Sequence, residues 1–139
     1  MNSMLRKFVS LVLVGLLTWT LGSCGAGNPQ KAGESFGVAA TAALDAVSGV
    51  EKNSIRYTDP GGLGATVTAR VTASPSADLE TVMGDSLRAF AESAGSIKPL
   101  VPVYFYVFPK GAEENGIRPD ALGLAQSPTM DEIREFTNR

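Results

Sequence analysis

The sequence predicts an α+β fold: a two-layer sandwich with helices packed on one face of a small, mostly antiparallel sheet, in the order αββαββα. Three observations predict it. Some stretches repeat apolar residues at three- and four-residue steps, others alternate them at period two, and the two kinds interleave along the chain. The ~115 residues from Cys24 onward are enough for one small domain, which buries roughly two-thirds of its unfolded surface. With one cysteine in 139 residues no internal disulfide can form, so packing alone must hold the fold.

Taken in order, Phe36, Ala40, Ala43, Leu44 and Val47 form a helical stripe ending near Ser48-Gly49. "KNSIRYT" (52–58) reads as a strand, and "DPGG" (59–62) has turn chemistry. The clearest pattern is "ATVTARVTA" (65–73). Ala65, Val67, Ala69, Val71 and Ala73 fall on one face, and Thr66, Thr68, Arg70 and Thr72 on the other, as in a strand covered on one side only. Ser74-Pro75-Ser76 breaks it. A second helix follows, its stripe made by Leu79, Val82, Met83, Leu87, Phe90 and Ala94, with Gly95 as its stop. "LVPVYFYVF" (100–108) is β-rich and apolar on both faces, with Pro102 indicating an edge position or bulge. "KGAEENGIRPD" (110–120) is a polar loop, and Leu122 and Leu124 suggest a short fourth strand. Thr129 and Glu132 have capping-box spacing before a helix carrying Met130, Ile133 and Phe136.

The first 23 residues have a different character. Arg6 and Lys7 precede the apolar run "FVSLVLVGLL" (8–17), and small residues lead into Cys24, the order of an export signal. Even extended from Phe8 to Leu21 the run falls short of the roughly 20 residues that span a bilayer. Leu21-Gly22-Ser23-Cys24 resembles the lipobox of bacterial lipoproteins. That resemblance implies diacylglycerol on the Cys24 sulfur, cleavage before Cys24, and membrane anchoring on the extracytoplasmic face. Gly25 lacks the Asp that can retain lipoproteins at an inner membrane, so the outer membrane is open to it where the envelope has two. Each buried methylene contributes ~0.8 kcal/mol, so two or three acyl chains hold firmly. The division expected is therefore a signal peptide (1–23), a lipidated N-terminus and flexible tether (24–33), and one α+β domain (34–139). The tether "GAGNPQKAG" (25–33) would span an r.m.s. ~15–18 Å. The order of elements over residues 36–108 also resembles the BON domain, an αββαβ module of bacterial envelope proteins. "AVSGV" (46–50) stands where that family runs from helix through Gly-Val into a strand, although "GSIKPLV" (95–101) departs from its second Gly-Val.

Composition excludes several activities. Beyond residue 23 there are ten basic and 14 acidic residues, a formal charge of −4, which argues against nucleic acid as a partner. The chain has no histidine. Ser-His-Asp and Cys-His catalysis and imidazole metal sites are therefore absent, and zinc lacks thiolates as well. Glu113, Glu114, Asn115 and Asp120 cluster in one loop without EF-hand order, so no metal is assigned there. "PGGLGA" (60–65) joins two strands and has no helix N-terminus to hold a phosphate. Ser96 and Lys98 are loop neighbours without a catalytic pattern. No cofactor is called for.

What remains is the uncovered face of the sheet. If Val101, Val103, Phe105 and Val107 face the helices, period two turns Tyr104, Tyr106 and Phe108 the other way, beside Thr66, Thr68, Arg70, Thr72 and Arg56. Such a face is either solvated sheet with cross-strand stacking or a docking surface, since Tyr and Arg dominate interfaces. The expectation is a lipid-anchored cell-envelope protein that is a non-enzymatic binding or accessory module, with an envelope protein as its partner. The alternative is a small envelope hydrolase or transferase using carboxylate or serine chemistry. A third reading is a structural spacer whose open face is covered by a second copy.

Overall fold

Helix and strand patterns resolve into three helices and a three-stranded mixed sheet in a computed structural model, which describes residues 29–60, 64–95 and 97–139. The segment read as a signal peptide, Cys24, the start of the stretch read as tether, residues 61–63 of the expected turn, and Ser96 lie outside the described residues. The elements are α1 (Pro29–Asp45), β1 (Val50–Thr58), β2 (Thr66–Ala73), α2 (Leu79–Ser93), β3 (Val103–Pro109), two 3-10 turns (Glu113–Asn115 and Pro119–Leu122) and α3 (Met130–Thr137). The α+β class and the helices on one face are as the patterns predict.

β2 lies in the middle. It pairs with β1 antiparallel and with β3 parallel. The second pairing makes the sheet mixed rather than mostly antiparallel. Its cause is the connection: a helix-containing crossover returns the chain to the same end of the sheet, so the strand it delivers must run parallel.

Two further expectations differ. α1 begins at Pro29, inside the stretch read as tether, because Pro suits a first helical turn and because Gly33 continues the buried side of the helix. A β-carbon at Gly33 would overlap the Tyr57 ring, so only glycine lets the helix lie so close to β1. Leu122 and Leu124 do not form a fourth strand. Pro119 opens a 3-10 turn there instead, and of this loop Ile117 bridges to the outer edge of β3, at Val107.

The core is the period-two face of the sheet against the period-3.6 stripes. Val67, Ala69, Val71 and Ala73 of β2 and Val103, Phe105 and Val107 of β3 are all buried, beneath Phe36, Ala40 and Leu44 of α1 and Val82, Met83, Leu87 and Phe90 of α2. Three rings tie the layers together. Phe36 meets Phe90 edge-to-face at 5.4 Å, and Phe90 meets Phe105 the same way at 5.5 Å. Such pairs add ~0.5–1.5 kcal/mol beyond the area they bury.

The helix ends obey local chemistry. Asp78 caps α2 by accepting from the Thr81 amide and hydroxyl. Those bonds hold its carboxyl below the ordinary value of 3.8. Thr129 and Glu132 make the full capping box at α3, as their spacing predicts. α3 docks through backbone as well: Met130 N donates to Val101 O at 2.9 Å and Asp131 N to Pro99 O at 2.9 Å. The Arg134 guanidinium then reaches across to the carbonyls of Ala94 and Ile97, at 2.7 and 2.8 Å, satisfying the end of α2 and the loop after it.

Candidate functional site

The register of the sheet brings the predicted residues together. Arg56 pairs with Thr68, and Thr68 with Tyr104; Ser54 pairs with Arg70, and Arg70 with Tyr106; Lys52 pairs with Thr72, and Thr72 with Phe108. Directly paired residues share a face, so Arg56, Thr66, Thr68, Arg70, Thr72, Tyr104 and Tyr106 all lie on the side away from the helices. Tyr104, at 49% exposure, is the exposed large hydrophobic side chain of the three strands. Phe108 has the same parity and yet is 6% exposed.

The loop after β3 explains that difference. Lys110 N donates to Ala73 O at 2.9 Å and its ammonium meets Glu51 at 3.1 Å, which pins the start of the loop beside the end of β2. At its far end Ile117 exchanges backbone bonds with Val107, at 2.7 and 3.1 Å, so the chain comes back along β3. Between these points the loop folds over the open face. A β-carbon at Gly116 would lie 2.6 Å from the Tyr106 hydroxyl and 2.9 Å from Phe108 Cβ, so glycine is what permits the contact. The Tyr106 hydroxyl donates to Glu113 O at 2.8 Å. Arg70 reaches Glu113 at 3.2 Å, while its guanidinium stands 5.0 Å from the Phe108 ring and 5.6 Å from that of Tyr106. Arg118 stands 5.8 Å from the same Tyr106 ring.

The result is a trough of about 490 Å³. Thr68, Arg70, Tyr104 and Tyr106 come from the strands; Glu113, Glu114 and Arg118 come from the loop; Gln126 and Ser127 come from the approach to α3. Of the residues expected on the binding face, Thr68, Arg70, Tyr104 and Tyr106 line this trough. Thr66 and Thr72 flank it on the same face, and Arg56 borders a separate groove between α1 and β1. Arg118, Gln126 and Ser127 lie outside the sequence expectation, because an irregular return loop has no period to reveal where its side chains land. The only hint is the composition of "GIRPD", an arginine and a proline in an otherwise acidic loop.

The chemistry follows from these contacts. Arg70 is tied to Glu113 and to two rings, so it rigidifies the trough. Arg118 makes no ion pair among the described residues. Tyr104 offers a ring face, and Thr68, Ser127 and Gln126 offer hydroxyls and an amide. Among the described residues no three acidic or cysteine side chains lie close enough to hold a metal ion, and no helix is long and apolar enough to cross a membrane. No family model matches this chain, and neither a curated protein nor a solved structure matches it.

Proposed function

We propose that this protein is a cell-envelope lipoprotein, anchored by acyl chains on Cys24, whose domain is a non-enzymatic module that binds an envelope partner in the trough on the open sheet face. The observation that carries the binding role is the trough itself. A sheet face left merely to water needs no loop folded over it, yet here a glycine-dependent loop brings a second arginine to a wall beside an exposed tyrosine. Arg and Tyr are the side chains from which interface hot spots are built. The anchor rests on the Arg6-Lys7, apolar and Leu21-Gly22-Ser23-Cys24 sequence.

Capture from detergent-solubilised membranes with the intact protein tests both parts. Tyr104→Ala combined with Arg118→Ala should leave the domain folded and abolish capture, since truncating a hot spot costs ~2 kcal/mol or more. Undiminished capture by the folded double variant removes the trough from the function. Cys24→Ala should separately leave an uncleaved precursor without palmitate label, whereas equal labelling of variant and wild type removes the lipid anchor.

A further inference from the structure

The two edges of the sheet are finished differently. β3 is covered: Ile117 bridges Val107, Thr129 bridges Pro102, and the strand stops at Pro109. Nothing among the described residues pairs with the outer edge of β1. Which of its backbone groups are free follows from the ladder. Val67 N donates to Pro102 O and Ala73 O accepts from Lys110 N, so the odd-numbered residues of β2 point their peptide groups toward β3. The even-numbered ones therefore bond to their partners Lys52, Ser54, Arg56 and Thr58. Asn53, Ile55 and Tyr57 are left with N–H and C=O directed outward. Bare edges of this kind are templates for another strand.

Beside that edge runs a groove of about 600 Å³ between α1 and β1, with Gly37, Val38, Thr41 and Ala42 on its helical side and Ile55 and Tyr57 on its strand side. Val38, in the middle of the helix, is 73% exposed. α1 runs antiparallel to β1: Gly33 lies at Tyr57, and Thr41 and Asp45 accept from the Asn53 amide. The middle of the helix therefore stands beside Ile55.

We infer that β1 pairs with β1 of a second copy of this chain, antiparallel and centred on Ile55, to make a continuous six-stranded sheet. That two-fold axis matches Ile55 with itself and Asn53 with Tyr57, so every outward N–H and C=O of the three residues in each copy gains a partner. It places Arg56 opposite Ser54 and Lys52 opposite Thr58. Moving the centre to Ser54 would put Lys52 opposite Arg56, and like charges directly across a ladder are destabilising. The same axis brings α1 beside its copy, antiparallel, about Val38. Lys31, Glu34, Val38, Ala42 and Asp45 form one stripe of the helix. Reversal about Val38 sets Lys31 against Asp45 at both ends and the exposed valines against each other in the centre. Backbone, strand side chains and helix charges thus select one axis, and this self-complementarity favours a second copy over an unrelated strand. The dimer does not depend on the trough, which lies on the opposite face from α1.

The test is the mass of the full chain in detergent, by sedimentation across a concentration series. Wild type should be dimeric. Val38→Glu sets two carboxylates against each other at the axis from an exposed, helix-compatible position. It should weaken dimerisation by at least about tenfold with an unchanged circular dichroism spectrum. In full chains carrying Cys24→Ser, Val38→Cys should form a disulfide-linked dimer under mild oxidation, whereas Arg88→Cys on α2 should not. A wild type that remains monomeric throughout overturns the inference and leaves the edge to an extended strand of another protein. A dimer that is indifferent to Val38→Glu and fails to cross-link at position 38 overturns it equally.

Discussion

β2 presents two chemistries on one strand. Val67, Ala69, Val71 and Ala73 are buried without remainder, and Ala69 stands across the ladder from Phe105, small beside large. The intervening Thr66, Thr68 and Thr72 are half-buried and Arg70 is exposed. The first face is shaped by volume. Its partners are rings and branched aliphatics, and a lost methylene is felt because nothing flows in to replace it. The second face is shaped by one loop, pinned at its ends by backbone bonds to Ala73 and Val107 and laid on the face through a glycine contact, a tyrosine hydroxyl bond and an exposed ion pair between Arg70 and Glu113. Exposed pairs contribute ~0–1 kcal/mol, so the loop depends on steric fit more than on charge. Stability is thus concentrated on the helix side, and the polar and aromatic side chains of the trough lie on the other.

That contrast can be broken at several points. The largest effect should come from Phe90→Ala, which removes the middle ring of the Phe36–Phe90–Phe105 series and leaves a cavity beneath both helices. A loss of ~3–5 kcal/mol is expected in urea denaturation. A loss below ~1 kcal/mol would mean that the core closes over the gap. Next is Gly116→Ala on the other face. The added methyl must push the loop from Tyr106 and Phe108, at a cost of ~1–3 kcal/mol. Tyrosine fluorescence should report the displacement in a chain that begins at Cys24 and so omits the one tryptophan, Trp19.

A smaller effect belongs to Asp78, which caps the helix covering the buried face. Its carboxyl titrates below 3.8 in the folded protein because the Thr81 hydroxyl and amide donate to the ionised form. As pH falls the unfolded chain therefore takes up the proton first. The stabilisation is complete above the ordinary carboxylate value and is lost as pH falls through the folded one. Asp78→Ala should be less stable at neutral pH and lose less on acidification. Parallel pH profiles for variant and wild type would remove the cap from the account. The smallest effect should be that of Tyr104→Ala, within about ±0.5 kcal/mol. A variant at that position that unfolds easily would make Tyr104 part of the packing and erase the distinction between the faces.

Both faces of β2 are legible in the sequence. Alternation in "TVTARVTA" separates them correctly, since the side-chain period of a strand is two whatever it pairs with. The α1 and α2 stripes name most of their buried residues, although Ala43 and Leu79 are only half-buried and Val47 lies past the end of α1. Thr129 with Glu132 names the start of α3, because caps are made within four residues of chain. The trough is half legible. Its strand residues follow from parity, but its loop wall does not, since nothing local states that Gly116 will lie on Tyr106.

What the sequence determined by itself is whatever depends on neighbours along the chain: helix against strand, which face of each is apolar, and where helices begin. Tertiary structure decided what depends on closure between distant segments. It placed β3 parallel to β2, since a crossover helix returns the chain to the starting end. It replaced a fourth strand by a 3-10 turn behind Pro119, and it buried Phe108 on an open face by laying Gly116 across it. Among the described residues it left β1 bare while finishing β3, because a strand's edge is covered only by whatever segment happens to return beside it. Periodicity reports the environment of a residue relative to its own element. It carries no information about which loop comes back, or over which face.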